Sequence, residues 1–167
     1  MGKIQYVFYL FLFQLPNTLL GSSLDKYGDR IELLGIAFRD PLVLCQILIA
    51  VFISIAFFQS GIDKIIDRAG NIEFFDVHFK NTFLKNFTPF LLSILTFLEL
   101  LGSVVLVYGI YYSFAMRTTL WIFYGFVIVA VTIIFLFAGQ RIAKDYLGAA
   151  DLVPYFILIM LGIMSMY

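Results

Sequence analysis

A chain of 167 residues that is 62% hydrophobic and 13% charged, with a mean hydropathy of +1.00, is too apolar for a water-soluble core, since soluble domains carry about a quarter charged residues. Eleven basic residues balance eleven acidic ones, so no basic face exists for nucleic acid. The single cysteine, Cys45, and the single histidine, His78, exclude an internal disulfide, a CxxC redox pair, a structural zinc site and bis-histidine haem ligation within one chain. No Gly-rich phosphate loop, HExxH or GxSxG occurs.

The chain opens on "KIQYVFYLFLFQLPNTLLGSS". Lys3 and the apolar run begin like a signal peptide, but Pro16-Asn17 interrupts the run. Residues 4–20 read as a short extra membrane or interfacial helix. Residues 21–40 read as a polar loop with a small amphipathic turn. A membrane domain is expected to follow over 41–167, with 1–40 as a separate N-terminal segment.

A span needs roughly 20 apolar residues to cross a core of about 30 Å. Four windows approach this. The first is 41–58, running on to about Ile66, with Asp40 as N-cap and Pro41 at the first helical position. The second is 89–112, opened in the same way by Thr88-Pro89. The third is 119–139, and the fourth is 152–167 with Asp151 as N-cap. Glycines fall in or beside these windows, where small residues let helices approach closely.

Between the first two spans, Ile62, Ile65, Ile66 and Ala69 alternate with Asp63, Lys64, Asp67 and Arg68. That pattern predicts an amphipathic continuation of the first helix, with Gly70-Asn71 as stop and restart. Ile72, Phe75, Phe79 and Phe83 then predict a short interfacial helix, read either as a cap over the bundle end or as a lipid- or partner-binding surface. The basic residues divide five against six between the two sides of four spans, or seven against four if residues 4–20 also cross. Both counts place loops 60–88 and 140–150 on the cytoplasmic side.

Glu99 sits within "LLSILTFLELLGSVVLVYGI", about 15 Å along its helix at 1.5 Å per residue. A carboxylate there should face inward, be paired, or be protonated. Alternating spans bring Gln59, Asp63 and Lys64 to the same end as Gln140, Arg141, Lys144, Asp145 and Tyr146, and Lys64 and Arg141 are long enough to reach toward Glu99. The cluster is either structural, fixing helix orientation, or a site for a proton or an amphipathic ligand.

The stretches "FFQSGIDKIIDRAGNIEFF", "FLKNFTPFLLSILTFLELLGSVVLVYGI" and "FAGQRIAKDYLGAADLVPYFILIMLGI" resemble the DoxX family of small four-helix bacterial membrane proteins, over about 55–167. The resemblance implies an all-α integral membrane four-helix bundle in the bacterial cytoplasmic (inner) membrane. It implies a membrane subunit or anchor of an oxidoreductase or respiratory-type complex, with quinone as the candidate contact, no cofactor within the chain, and other membrane or redox subunits as partners beside the lipid. Carried over by motif, it marks Gly61, Asp63, Lys64, Glu99, Gly102, Gln140, Arg141, Lys144, Asp145 and Tyr146. A non-catalytic accessory or scaffold subunit, or a small-molecule carrier, is the alternative.

Overall fold

The computed structural model describes residues 31–33, 36–38 and 41–166. It divides into two compact units, Met1–Cys45 and Gln46–Tyr167. In the first, β1 (Ile31–Leu33) and β2 (Ile36–Phe38) form a short antiparallel pair with Ile31 opposite Phe38. The remainder of the expected loop over 21–40, and the helix expected over 4–20, lie outside the described residues.

The other described elements are helical. The elements are α1 (Pro41–Ile66), α2 (Arg68–His78), a 3-10 turn (Phe83–Phe87), α3 (Thr88–Met116), α4 (Leu120–Ile142) and α5 (Tyr146–Met164). Helices α1, α3, α4 and α5 are long and apolar enough to cross a membrane. Their outward surface is apolar: Phe52, Ile55, Phe97, Val107, Phe135 and Ile157 are all exposed, as expected where lipid rather than water is the solvent.

Four close contacts set the bundle order. Gly61 of α1 lies against Leu100 of α3, and a Cβ built on Gly61 would come within 2.7 Å of the leucine side chain. Gly109 of α3 packs on the backbone of α4, where an added Cβ would fall 2.6 Å from the Ile122 nitrogen. Gly162 of α5 meets the Phe126 ring of α4. Finally, Gln46 of α1 donates to the Ser165 carbonyl beyond α5 at 2.9 Å. So α1 and α4 each lie between α3 and α5, and the core between them holds Ile53, Leu92, Leu106, Ile122, Phe126 and Ile159, all fully buried.

Helix boundaries depart from the sequence reading in instructive places. The break after α1 falls at Asp67, not at Gly70-Asn71, because the Asp67 carboxylate caps α2 by accepting from the Gly70 amide at 3.1 Å. Thr88 does not cap α3. Its hydroxyl donates back to the Lys85 carbonyl at 2.8 Å, joining α3 to the 3-10 turn. The last span begins at Tyr146, with Asp145 rather than Asp151 as its cap, so Asp151 and Pro154 lie inside α5.

The continuation past residue 60 keeps Ile62 half-buried and Asp63, Asp67 and Arg68 exposed, as expected, but reverses Ile65, Ile66 and Lys64. Ile65 and Ile66 point outward, 55% and 79% exposed, while Lys64 turns inward and Arg68 lies along α3, donating to Ser93 Oγ at 2.8 Å. Of the four charged residues in this stretch only Lys64 turns into the bundle.

Candidate functional site

Among the described residues the charged side chain that is fully buried is Glu99, 1% exposed. It stands on the inward face of α3 with Leu92, Thr96, Gly102, Ser103 and Leu106, all buried, a spacing of three and four that defines one helix side. The α1 strip facing it is Phe57, Ser60, Gly61 and Lys64. Because Gly61 has no side chain, α1 comes close enough for its last turns to deliver both Ser60 and Lys64 to the carboxylate.

The geometry is that of a complete pair. Lys64 Nζ lies 2.9 Å from Glu99 Oε2 and 3.1 Å from Oε1. Ser60 Oγ donates to Glu99 Oε1 at 3.3 Å. The ammonium also donates to Ser60 Oγ at 2.6 Å and to the Ser60 carbonyl at 3.3 Å. All three ammonium hydrogens have acceptors in reach and both carboxylate oxygens have donors, which is the condition for a buried ion pair to be tolerable. The Lys64 side chain is 12% exposed, so the pair is nearly closed to its surroundings.

The other residues singled out from sequence do not join this pair. Arg141 stacks its guanidinium over the Tyr146 ring, 4.6 Å from the centroid, and does not reach Glu99. Lys144 and Asp145 build the α4–α5 turn. Lys144 has φ 63°, in the left-handed region; its amide donates to the Arg141 carbonyl and the Asp145 amide to the Gln140 carbonyl. Those two bonds are the Schellman closure of a helix. The Asp145 carboxylate then accepts from the Gly148 amide at 2.9 Å. Much of "GQRIAKDYLG" is therefore turn chemistry.

Gln140 does something else. Its Oε1 is 2.7 Å from Nε2 of His78, at the end of α2, and the ring of Phe79, next in the chain, lies over Gly139, where an added Cβ would fall 3.5 Å from it. This joins the connection between the first two spans to the end of α4. Beneath it lies a cavity of about 310 Å³, roofed by Phe75, Phe79 and Leu84 and walled by the start of α3 and the end of α4, with Gln140 among its lining residues. Exposed Ile94 and Phe135 also line it, so it opens sideways between α3 and α4.

Gln59 and Asp63 are exposed on the outside of α1. Among the described residues neither side chain has a partner.

The sequence reading missed Ser60 and the His78–Gln140 bond. The signal for Ser60 was its place four residues before Lys64, on the same helix face. For His78 there was none, because a contact across 62 positions leaves no local trace. Among the described residues no three His, Cys, Asp or Glu side chains converge as metal ligands. Comparison with protein-family models, with curated proteins and with solved structures finds no match.

Proposed function

We propose that the chain is a DoxX-type protein of the bacterial cytoplasmic membrane, acting as a membrane subunit or anchor of an oxidoreductase assembly and contacting quinone. The observation that carries this reading is the apolar cavity beside Gln140. It is at the small end of ligand pockets, which run from about 300 to 1,000 Å³. It opens toward the lipid phase and carries one amide whose N–H₂ has no hydrogen-bond partner among the described residues, since His78 occupies only its oxygen. A quinone presents a flat apolar ring and two carbonyl acceptors, and those walls and that donor suit it: the Gln140 amide would hold a carbonyl while the aromatic roof excludes water. Quinone, when bound, supplies the two-electron redox chemistry. The redox centre that exchanges electrons with it belongs, in this reading, to a partner subunit.

In this arrangement α2 lies in the membrane interface as a cap, and loops 60–88 and 140–150 face the cytoplasm, in keeping with the distribution of Lys and Arg. Purification in a mild detergent, with mass spectrometry of bound lipids and proteins, tests the proposal. The expected result is near-stoichiometric quinone and a redox-active partner, with quinone content lowered at least severalfold by Gln140→Leu. Chain purified without quinone and with structural partners alone would overturn it. That outcome would favour the scaffold reading, which the Lys64–Glu99 pair supports, because every polar atom of the pair is satisfied without a ligand.

A further inference from the structure

Six residues of α1, Leu48, Phe52, Ile55, Gln59, Asp63 and Ile66, fall within about an 80° arc at 3.6 residues per turn. All six are exposed. The arc lies opposite the buried face of the same helix, which holds Ala50, Ile53, Phe57 and Gly61.

The depth of this arc follows from the helix contacts. Along α4, Trp121 and Gln140 are nineteen residues apart, about 28 Å, which matches a hydrocarbon core of about 30 Å. Trp121 is grouped with Tyr108, Tyr112 and Tyr124, an aromatic cluster of the kind that sits at a membrane–water boundary. At the other end Gln140 is level with the start of α3, where Arg68 reaches Pro89 and Ser93. Gly61 lies against Leu100, eleven residues or about 16 Å along α3 from Pro89, so Asp63, two residues nearer the end of α1, lies about 13 Å inside that boundary and Gln59 about 19 Å inside. Outward-facing Ile65 and Ile66 continue the apolar surface beyond Asp63. An unpaired carboxylate and an unpaired amide thus face outward from the bundle at a depth where water does not reach, and this is costly unless another protein meets them.

We infer that this face of α1 docks a transmembrane helix of a different protein, one that carries a lysine or arginine at the depth of Asp63. The charge selects the occupant. A second copy packed in parallel would bring Asp63 against Asp63, two like charges in a low-dielectric contact. The apolar segment 4–20 of this chain contains no basic residue, and Lys3, just before it, would fall at the end of such a span and not at the depth of Asp63. A helix with one cation satisfies Asp63, gives Gln59 a polar neighbour one turn deeper, and packs its apolar side chains on Phe52 and Ile55. The inference does not depend on the quinone reading, since the stripe and the cavity are on different helices.

The test is site-specific photocrosslinking in native membranes, with benzoylphenylalanine at Ile55 of the full chain and sequencing of the adduct peptides. The expected adduct is an apolar helix of another membrane protein that contains a lysine or arginine. Its yield should fall at least tenfold in Asp63→Leu and severalfold in Asp63→Asn, with the thermal unfolding of the purified chain unchanged. Exchanging the charges, with Asp63→Lys here and an acidic residue at the partner's basic position, should restore the yield. Adducts only with a second copy, with residues 4–20, with lipid, or with a helix lacking a basic residue would overturn the inference. So would a yield insensitive to Asp63→Leu.

Discussion

Glu99 and Asp63 are two carboxylates at nearly the same height in one bundle, and the protein treats them in opposite ways. Glu99 is enclosed and meets an ammonium and a hydroxyl. Asp63 is exposed, with no partner among the described residues. They are held by adjacent faces of the same contact: Lys64, the next residue after Asp63, turns inward to Glu99, and a step of 100° around the helix sends Asp63 outward. The difference teaches that in an apolar bundle the depth of a charge does not reveal its purpose. What matters is the face it occupies. An inward charge is completed by the fold, whereas the outward one at the same depth has no partner among the described residues.

Substitutions should separate the two carboxylates by the size of their effect on the isolated chain. Glu99→Leu strands the Lys64 ammonium and should destabilise the detergent-solubilised protein by about 3–5 kcal/mol. Lys64→Met should cost a similar amount, and Glu99→Gln clearly less, because the amide oxygen still accepts from Lys64 and Ser60. Asp63→Leu should change stability by no more than about 0.5 kcal/mol, as for surface positions without partners. Chemical unfolding followed by tryptophan fluorescence measures all four, with Trp121 as the only reporter of its type. Equal losses for Glu99→Leu and Asp63→Leu would erase the distinction.

Close helix approach makes the enclosed side possible, so it should be next in sensitivity. Gly109→Ala places a methyl group against the α4 backbone at 2.6 Å, and overpacking of this kind costs about 1–3 kcal/mol. Gly139→Ala meets only the Phe79 ring at 3.5 Å, an ordinary contact, and should leave the melting temperature unchanged. The α4–α5 turn carries smaller effects. Asp145→Ala removes the cap on Gly148 and should cost about 1 kcal/mol. Lys144→Gly should stabilise by about 0.5–1 kcal/mol, because glycine accepts the left-handed backbone without penalty. If Lys144→Gly instead lowered stability, the lysine side chain would be making a contact beyond the turn.

What the sequence made legible follows from what is local. The four spans could be read from runs of apolar residues, whereas the amphipathic pattern past Gly61 carried the first helix on to Gly70-Asn71, beyond its end at Ile66. The inward turn of Glu99 followed from cost alone, since a carboxylate facing lipid is penalised whatever its neighbours are. Its partner was narrowed to Lys64 and Arg141 by length and topology. The choice between them was not local, because it depended on Gly61 bringing α1 against Leu100 and on Arg141 finding the Tyr146 ring. Ile65, Ile66 and Lys64 face opposite to the expectation because the pattern was read as for a helix in water, with isoleucines toward the core, whereas Ile62 is half-buried and Asp63, Asp67 and Arg68 are exposed as expected. The Asp145 cap was overlooked because Asp151 precedes a more uniformly apolar run, while the Schellman closure that ends α4 at Lys144 has no glycine to announce it.

Lys64 and Glu99 form one internal unit that joins α1 to α3. A double-mutant cycle with Lys64→Met, Glu99→Leu and the double variant, followed by chemical unfolding in one detergent, tests it most directly. The predicted result is a coupling energy larger than either single loss, above about 3–5 kcal/mol, with the double variant more stable than either single one because no unpaired charge remains buried. Additive losses, leaving the double variant as the least stable of the three, would contradict the account.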